Sequence, residues 1–125
     1  MKILFMSQQD AETLVPNKDV AIISIVGIQS PPRRLKGWTN RLDLHFDDIV
    51  QPTPGYKSFT PIDAQRIKSF VKHLPSNVKT IVVHCLHGAS RSAGVAKWLN
   101  EVYKTNEFPI FYSAYNPLVY KLLKD

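Results

Sequence analysis

The chain has one cysteine, Cys85, and an arginine, Arg91, follows it after five residues, with Ser92 directly behind. A thiolate is a strong nucleophile, and a guanidinium grips two phosphate oxygens through a planar fork that lysine lacks. The pair suits attack on a bound phosphate ester. A free thiol has a pKa of about 8.5, so this chemistry needs something to hold the value down. Five residues suffice to wrap a loop round a phosphate. The amides of Leu86, His87, Gly88, Ala89, Ser90 and Arg91 can then converge on the equatorial oxygens, where transition-state charge spreads. Gly88 relieves the backbone where a tight loop needs positive φ. Ser92 is placed to hydrogen-bond the sulfur, which stabilises the thiolate and helps it leave in a second step. A lone cysteine is more often a small buried hydrophobe. What separates Cys85 from that reading is its surroundings.

Those surroundings read as strand, loop and helix. The β-branched run Thr80-Ile81-Val82-Val83 leads in, and a helical pattern from Ser92 to about Lys104 leads out. The helix start would place Cys85 beneath unpaired amides and a favourable dipole. Upstream, Lys2 to Met6 reads as a buried strand and Gln9 to Val15 as a turn of helix before Pro16. Asp19 to Val26 reads as a central strand, apolar on both faces. Ser30-Pro31-Pro32 opens a loop that runs to Thr39. Arg41 to Phe46 alternates as a half-buried strand, with Leu42, Leu44 and Phe46 on one face and Asp43 on the solvated one. A long loop, Ile49 to Phe59, carries Pro52, Pro54 and Gly55. Thr60-Pro61-Ile62-Asp63 is a helix start, followed by Ile67, Phe70, Val71 and Leu74 at helical spacing. Val95, Trp98, Leu99, Val102 and Tyr103 form a core stripe on the next helix. Asn116-Pro117 begins a last one, with Leu118, Val119, Leu122 and Leu123 on its buried face. Strands that alternate with helices predict an α/β fold. It is a single domain over residues 1–125, with a mostly parallel central sheet of about four or five strands flanked by helices.

Composition sets outer bounds. One cysteine excludes an internal disulfide and a cysteine-based zinc site, and suits a reducing compartment. The net charge of +6 favours anionic partners. The basic residues are scattered, however, and the densest group is Arg33, Arg34 and Lys36. The short apolar N-terminus lacks a cleavage site, and no run is long enough to span a membrane. The expectation is a soluble cytoplasmic protein with no membrane partner.

His84-Cys85-Leu86-His87-Gly88-Ala89-Ser90-Arg91-Ser92 resembles the phosphate-binding loop of the cysteine-dependent protein tyrosine phosphatases, especially the compact dual-specificity class of bacteria and phages. Ile-Ile-Ser-Ile in the early strand, Leu-His-Phe-Asp-Asp-Ile and the Thr-Pro helix start extend the resemblance over most of the chain. It implies a protein tyrosine phosphatase-like fold and a phosphomonoester hydrolase with a cysteinyl-phosphate intermediate. Cys85 would be the nucleophile, Arg91 the phosphate clamp, Ser92 the thiolate partner, and His84 a residue that tunes Cys85. No metal or organic cofactor is implied. The family also uses an aspartate on a separate upstream loop as general acid. Asp48 is favoured because similar compact sequences read Asp-Ile there, and Asp47 is the alternative. His87 departs from the common alanine.

The loop holds no lysine between Cys85 and Arg91, which argues against a phosphoinositide. The implied substrate is a phosphorylated protein, through phosphotyrosine and also phosphoserine or phosphothreonine, and Trp38 and Tyr56 are candidates to flank it. Two other functions fit less well. A phosphate-binding module without turnover would have lost the cysteine, arginine or acid, and none is missing. A phosphatase of nucleic-acid 5′-phosphate ends is permitted by the charge, but no aromatic stacking array favours it.

Overall fold

The computed structural model describes residues 1–31 and 33–125; Pro32, the second of the tandem prolines, lies outside them. In chain order the elements are β1 (Lys2–Ser7), α1 (Gln8–Ala11), β2 (Val20–Val26), β3 (Asn40–His45), α2 (Pro61–Lys72), β4 (Thr80–Cys85), α3 (Arg91–Val102) and α4 (Pro117–Lys124). The four strands form one sheet in the order β1-β4-β2-β3, parallel throughout. The expected α/β architecture is therefore present, with the lower of the two strand counts.

β2 and β4 are central and nearly all their residues are buried, as their β-branched runs require. Alternate side chains serve two layers. Ile23, Ile25, Ile81, Val83 and Cys85 face a large core closed by Ala64 and Ile67 of α2, Val95 and Leu99 of α3, and Val119 and Leu123 of α4. Ile22 and Val82 face the other way, into a smaller cluster closed by Ala11 of α1 and by Leu35 and Trp38 of the loop before β3. β1 is an edge strand and only half-buried, less enclosed than its apolar sequence suggests. Val102, expected in the core stripe of α3, sits at the helix end and is exposed.

Two departures concern charge. Asp43 is not left to solvent on β3. It lies between Arg33, at 3.0 Å, and Arg41, at 2.8 Å. Burial pushes its carboxyl up, but the hydrogen bonds and charges of Arg41 and Arg33 outweigh that and hold it below the ordinary value. Arg33 is thereby removed from the exposed basic surface. Its side chain is only 9% exposed.

The helix starts follow their sequence signals. Thr60 and Asp63 form a reciprocal capping box behind Pro61, an arrangement that stabilises by about 1 kcal/mol. Asn116 caps α4 by accepting from the amides of Leu118 and Val119. No helix among the described residues is long and apolar enough to cross a membrane.

Candidate active site

All four strands run the same way, so Ser7, Val26, His45 and Cys85 end at one edge of the sheet. In parallel sheets this carboxyl edge is where loops gather to bind ligands. Cys85 is the last residue of β4 and α3 begins at Arg91, so the five residues between form the turn from sheet to helix.

Gly88 shapes that turn. Its φ is +70°, and a Cβ there would lie 2.3 Å from the main chain of Met6 and Ser7. The loop thus presses directly on β1, and only glycine satisfies both the conformation and the space. Around it, the Leu86 carbonyl accepts from the Gln8 amide, 3.3 Å away. The Ala89 carbonyl accepts from the Tyr112 hydroxyl.

The Cys85 thiol is 2% exposed. Its sulfur lies 3.2 Å from the Ser92 hydroxyl and accepts from the Ser92 amide at 3.5 Å. Burial alone would push the thiol up. The Ser92 hydroxyl and amide, the Arg91 charge and the Gly88 amide outweigh it, so the value falls below that of a free thiol. Arg91 is buried, and its Nη1 donates to the Phe46 carbonyl at 2.9 Å. Its Nε has no partner among the described residues. One arm of the guanidinium is thus anchored at the end of β3.

The two aspartates part company. Asp47 folds back on its own loop: one carboxylate oxygen accepts from the Lys57 amide at 2.8 Å, and its amide donates to the Lys57 carbonyl at 2.7 Å. Its other oxygen accepts weakly from the Ile28 amide. Asp48 turns to the cysteine loop instead. Its Oδ1 accepts from the Ser90 hydroxyl and from Asn116 Nδ2, each at 2.8 Å. The structure brings Asp48, and not Asp47, to the loop between Cys85 and Arg91.

The place of His84 follows from its position on β4, next to Cys85. Strand alternation sends its ring to the face opposite Cys85, where Nε2 meets the Ser24 hydroxyl at 2.6 Å. It is fully buried, and burial pulls its pKa down to about 4, so the ring is neutral near pH 7. Any influence on Cys85 runs through the main chain. His87 is exposed on the loop. Trp38 packs into the smaller cluster, and Tyr56 stands 60% exposed beyond Asp47.

Asn116 is the residue whose part at the site was not read from sequence. Beyond capping α4, its Nδ2 donates to Asp48 and to the Ile49 carbonyl, and its amide donates to the Ser90 carbonyl. One residue therefore joins α4, the loop of Asp48 and Ile49, and the cysteine loop. The Asn-Pro signal gave the cap. Nothing local could give a partner 68 residues away. Tyr112 is a second such residue, reached from an irregular segment.

Among the described residues no three His, Cys, Asp or Glu side chains converge as a metal site would require. Comparison with protein-family models, with curated proteins and with solved structures gives no match.

Proposed function

We propose that the chain is a compact member of the cysteine-dependent protein tyrosine phosphatase superfamily. It hydrolyses phosphomonoesters on phosphorylated protein. The observation that carries this is the meeting of two loops: Asp48 is hydrogen-bonded to Ser90, inside the turn whose base holds a thiol of lowered pKa and whose end holds Arg91.

In the first step the Cys85 thiolate attacks phosphorus while Arg91 and the loop amides take the phosphoryl oxygens. The phosphorus–oxygen bond to the leaving group breaks, and the departing oxygen takes a proton from Asp48. Water then attacks the cysteinyl phosphate and gives its proton to the same aspartate. The sulfur–phosphorus bond breaks, and the thiolate leaves into its hydrogen bonds with Ser92. Inorganic phosphate is released, and both groups return to their starting states. Asp47 has no part in this chemistry, since its carboxylate is occupied in closing its own loop.

An aryl phosphate assay tests the scheme. Cys85→Ser should abolish turnover. Asp48→Asn should lower kcat by about a hundredfold or more, while Asp47→Asn falls far less. Full activity in Cys85→Ser would refute the covalent route, and a crippled Asp47→Asn beside a normal Asp48→Asn would reverse the acid assignment. Phosphopeptides tested against a 5′-phosphorylated RNA then identify the substrate class.

A further inference from the structure

The face of the sheet opposite α2, α3 and α4 carries a feature that the proposed reaction does not use. The loop before β3 and the end of α1 border an open-sided cavity of about 570 Å³, lined by Glu12, Leu14, Arg33, Arg34, Lys36 and Trp38, with Leu35 at its base. A volume of that order suits a small organic ligand. Three cations and one aromatic ring in a single concavity mark it for an anion with an apolar or planar body.

The charges in the lining are not equivalent. Arg33 is largely spent: Nη1 pairs with Asp43 and Nη2 donates to the Leu44 carbonyl. Its Nε, buried, has no partner among the described residues. Glu12 is spent as well, since its Oε2 accepts from the Arg34 main-chain amide at 2.6 Å and from Gln8. That bond holds the main chain of the basic loop against α1. The Arg34 and Lys36 side chains are exposed and form no ion pair among the described residues. With Arg33 paired to Asp43, these two exposed cations outnumber the single Glu12 carboxylate in the lining, which leaves the concavity net positive. Leu14 and Trp38 supply the apolar wall.

The geometry points to a second ligand site here, for a phosphate monoester on a planar ring. Its phosphate would lie between Arg34 and Lys36, and its ring against Trp38 and Leu14. Phosphotyrosine and a nucleoside monophosphate share that chemistry. The site stands apart from Cys85 and does not depend on how Cys85 works.

The test uses the full chain as Cys85→Ser, so that no ligand is consumed, and follows the indole N–H resonance of Trp38, assigned with Trp38→Phe. Phosphotyrosine and adenosine monophosphate are titrated separately. The expected result is a saturable shift of the Trp38 resonance with one or both. In Arg34→Ala/Lys36→Ala the apparent Kd should rise about tenfold or more, as loss of charge-assisted bonds implies. Whichever ligand binds more tightly identifies the source. Both substituted side chains are exposed, so the same double substitution in the otherwise native chain should leave turnover of an aryl phosphate unchanged. A Trp38 resonance that stays in place at millimolar ligand overturns the proposal. So does a shift of equal affinity in the double variant.

Discussion

Five residues separate Cys85 from Arg91, and four of them are tied to other parts of the molecule. Leu86 is bonded to the start of α1, Gly88 presses on β1, Ala89 accepts from Tyr112, and Ser90 is bonded to Asp48 and Asn116. His87 alone has no such tie among the described residues. The loop from Asp47 to Ser58 is built differently. It is pinched at its base, where Asp47 and Lys57 exchange hydrogen bonds and Phe46 stacks edge-on to Phe59 at 4.9 Å. Between those points Val50, Gln51, Pro52 and Tyr56 are exposed, and what fastens it to the rest of the protein there is Asp48 and Ile49 against Ser90 and Asn116. In the proposed reaction the first loop cradles a charge in fixed geometry, which fits its many ties, and the second brings a proton and then lets product leave, which fits its few.

Three substitutions would break or sharpen this contrast. The largest effect is expected from Gly88→Ala. An added methyl would strike β1 main chain that cannot yield, in a conformation costly for any other residue, so stability should fall by about 3 kcal/mol or more. Turnover should vanish with it. Urea unfolding and the aryl phosphate assay check both, and activity within twofold of wild type would mean that the cradle is not rigid. Asn116→Ala comes next. It removes a helix cap worth about 1 kcal/mol and frees Asp48, so kcat should drop about tenfold with KM little changed. Asn116→Ser keeps a cap acceptor for α4 but is too short to donate to Asp48. It should recover stability and not kcat; recovery of both would reduce Asn116 to a cap. The smallest effect belongs to Ser92→Ala. It removes the hydroxyl from a thiol that burial otherwise pushes up, so the thiol pKa rises. The thiolate is the reactive form, so the acidic limb of kcat/KM should move to higher pH. An unmoved limb would show that Ser92 does not hold the thiolate.

What could be read in the sequence was local. The β-branched runs of β2 and β4 and the Thr60-Pro61 and Asn116-Pro117 starts depend on a few neighbouring residues, and each element formed close to where its signal lies. The nine residues from His84 to Ser92 were legible for the same reason: strand, glycine and helix start are adjacent in the chain. What escaped was set by tertiary contact. Asp47 and Asp48 are identical in type and adjacent, and only the fold decides which one meets Ser90. Asp43 reads as an outward strand residue until Arg33 arrives from a separate loop. Gly88 shows its need for positive φ in sequence, but not that β1 lies against it.

The order of strands also has a consequence for how the chain folds. Among the described residues β1 pairs only with β4, across a separation of 78 residues in the register Lys2↔Thr80. β1 is therefore made well before its partner and waits, unpaired, until β4 has emerged. Long-range parallel pairing of this kind is slow to form. Because Gly88 rests on the main chain of Met6 and Ser7, the loop above Cys85 cannot take its shape until that late pairing is complete. A chain that stalled with β2, β3 and β4 assembled would hold every residue of the site and still lack the floor against which its loop is bent.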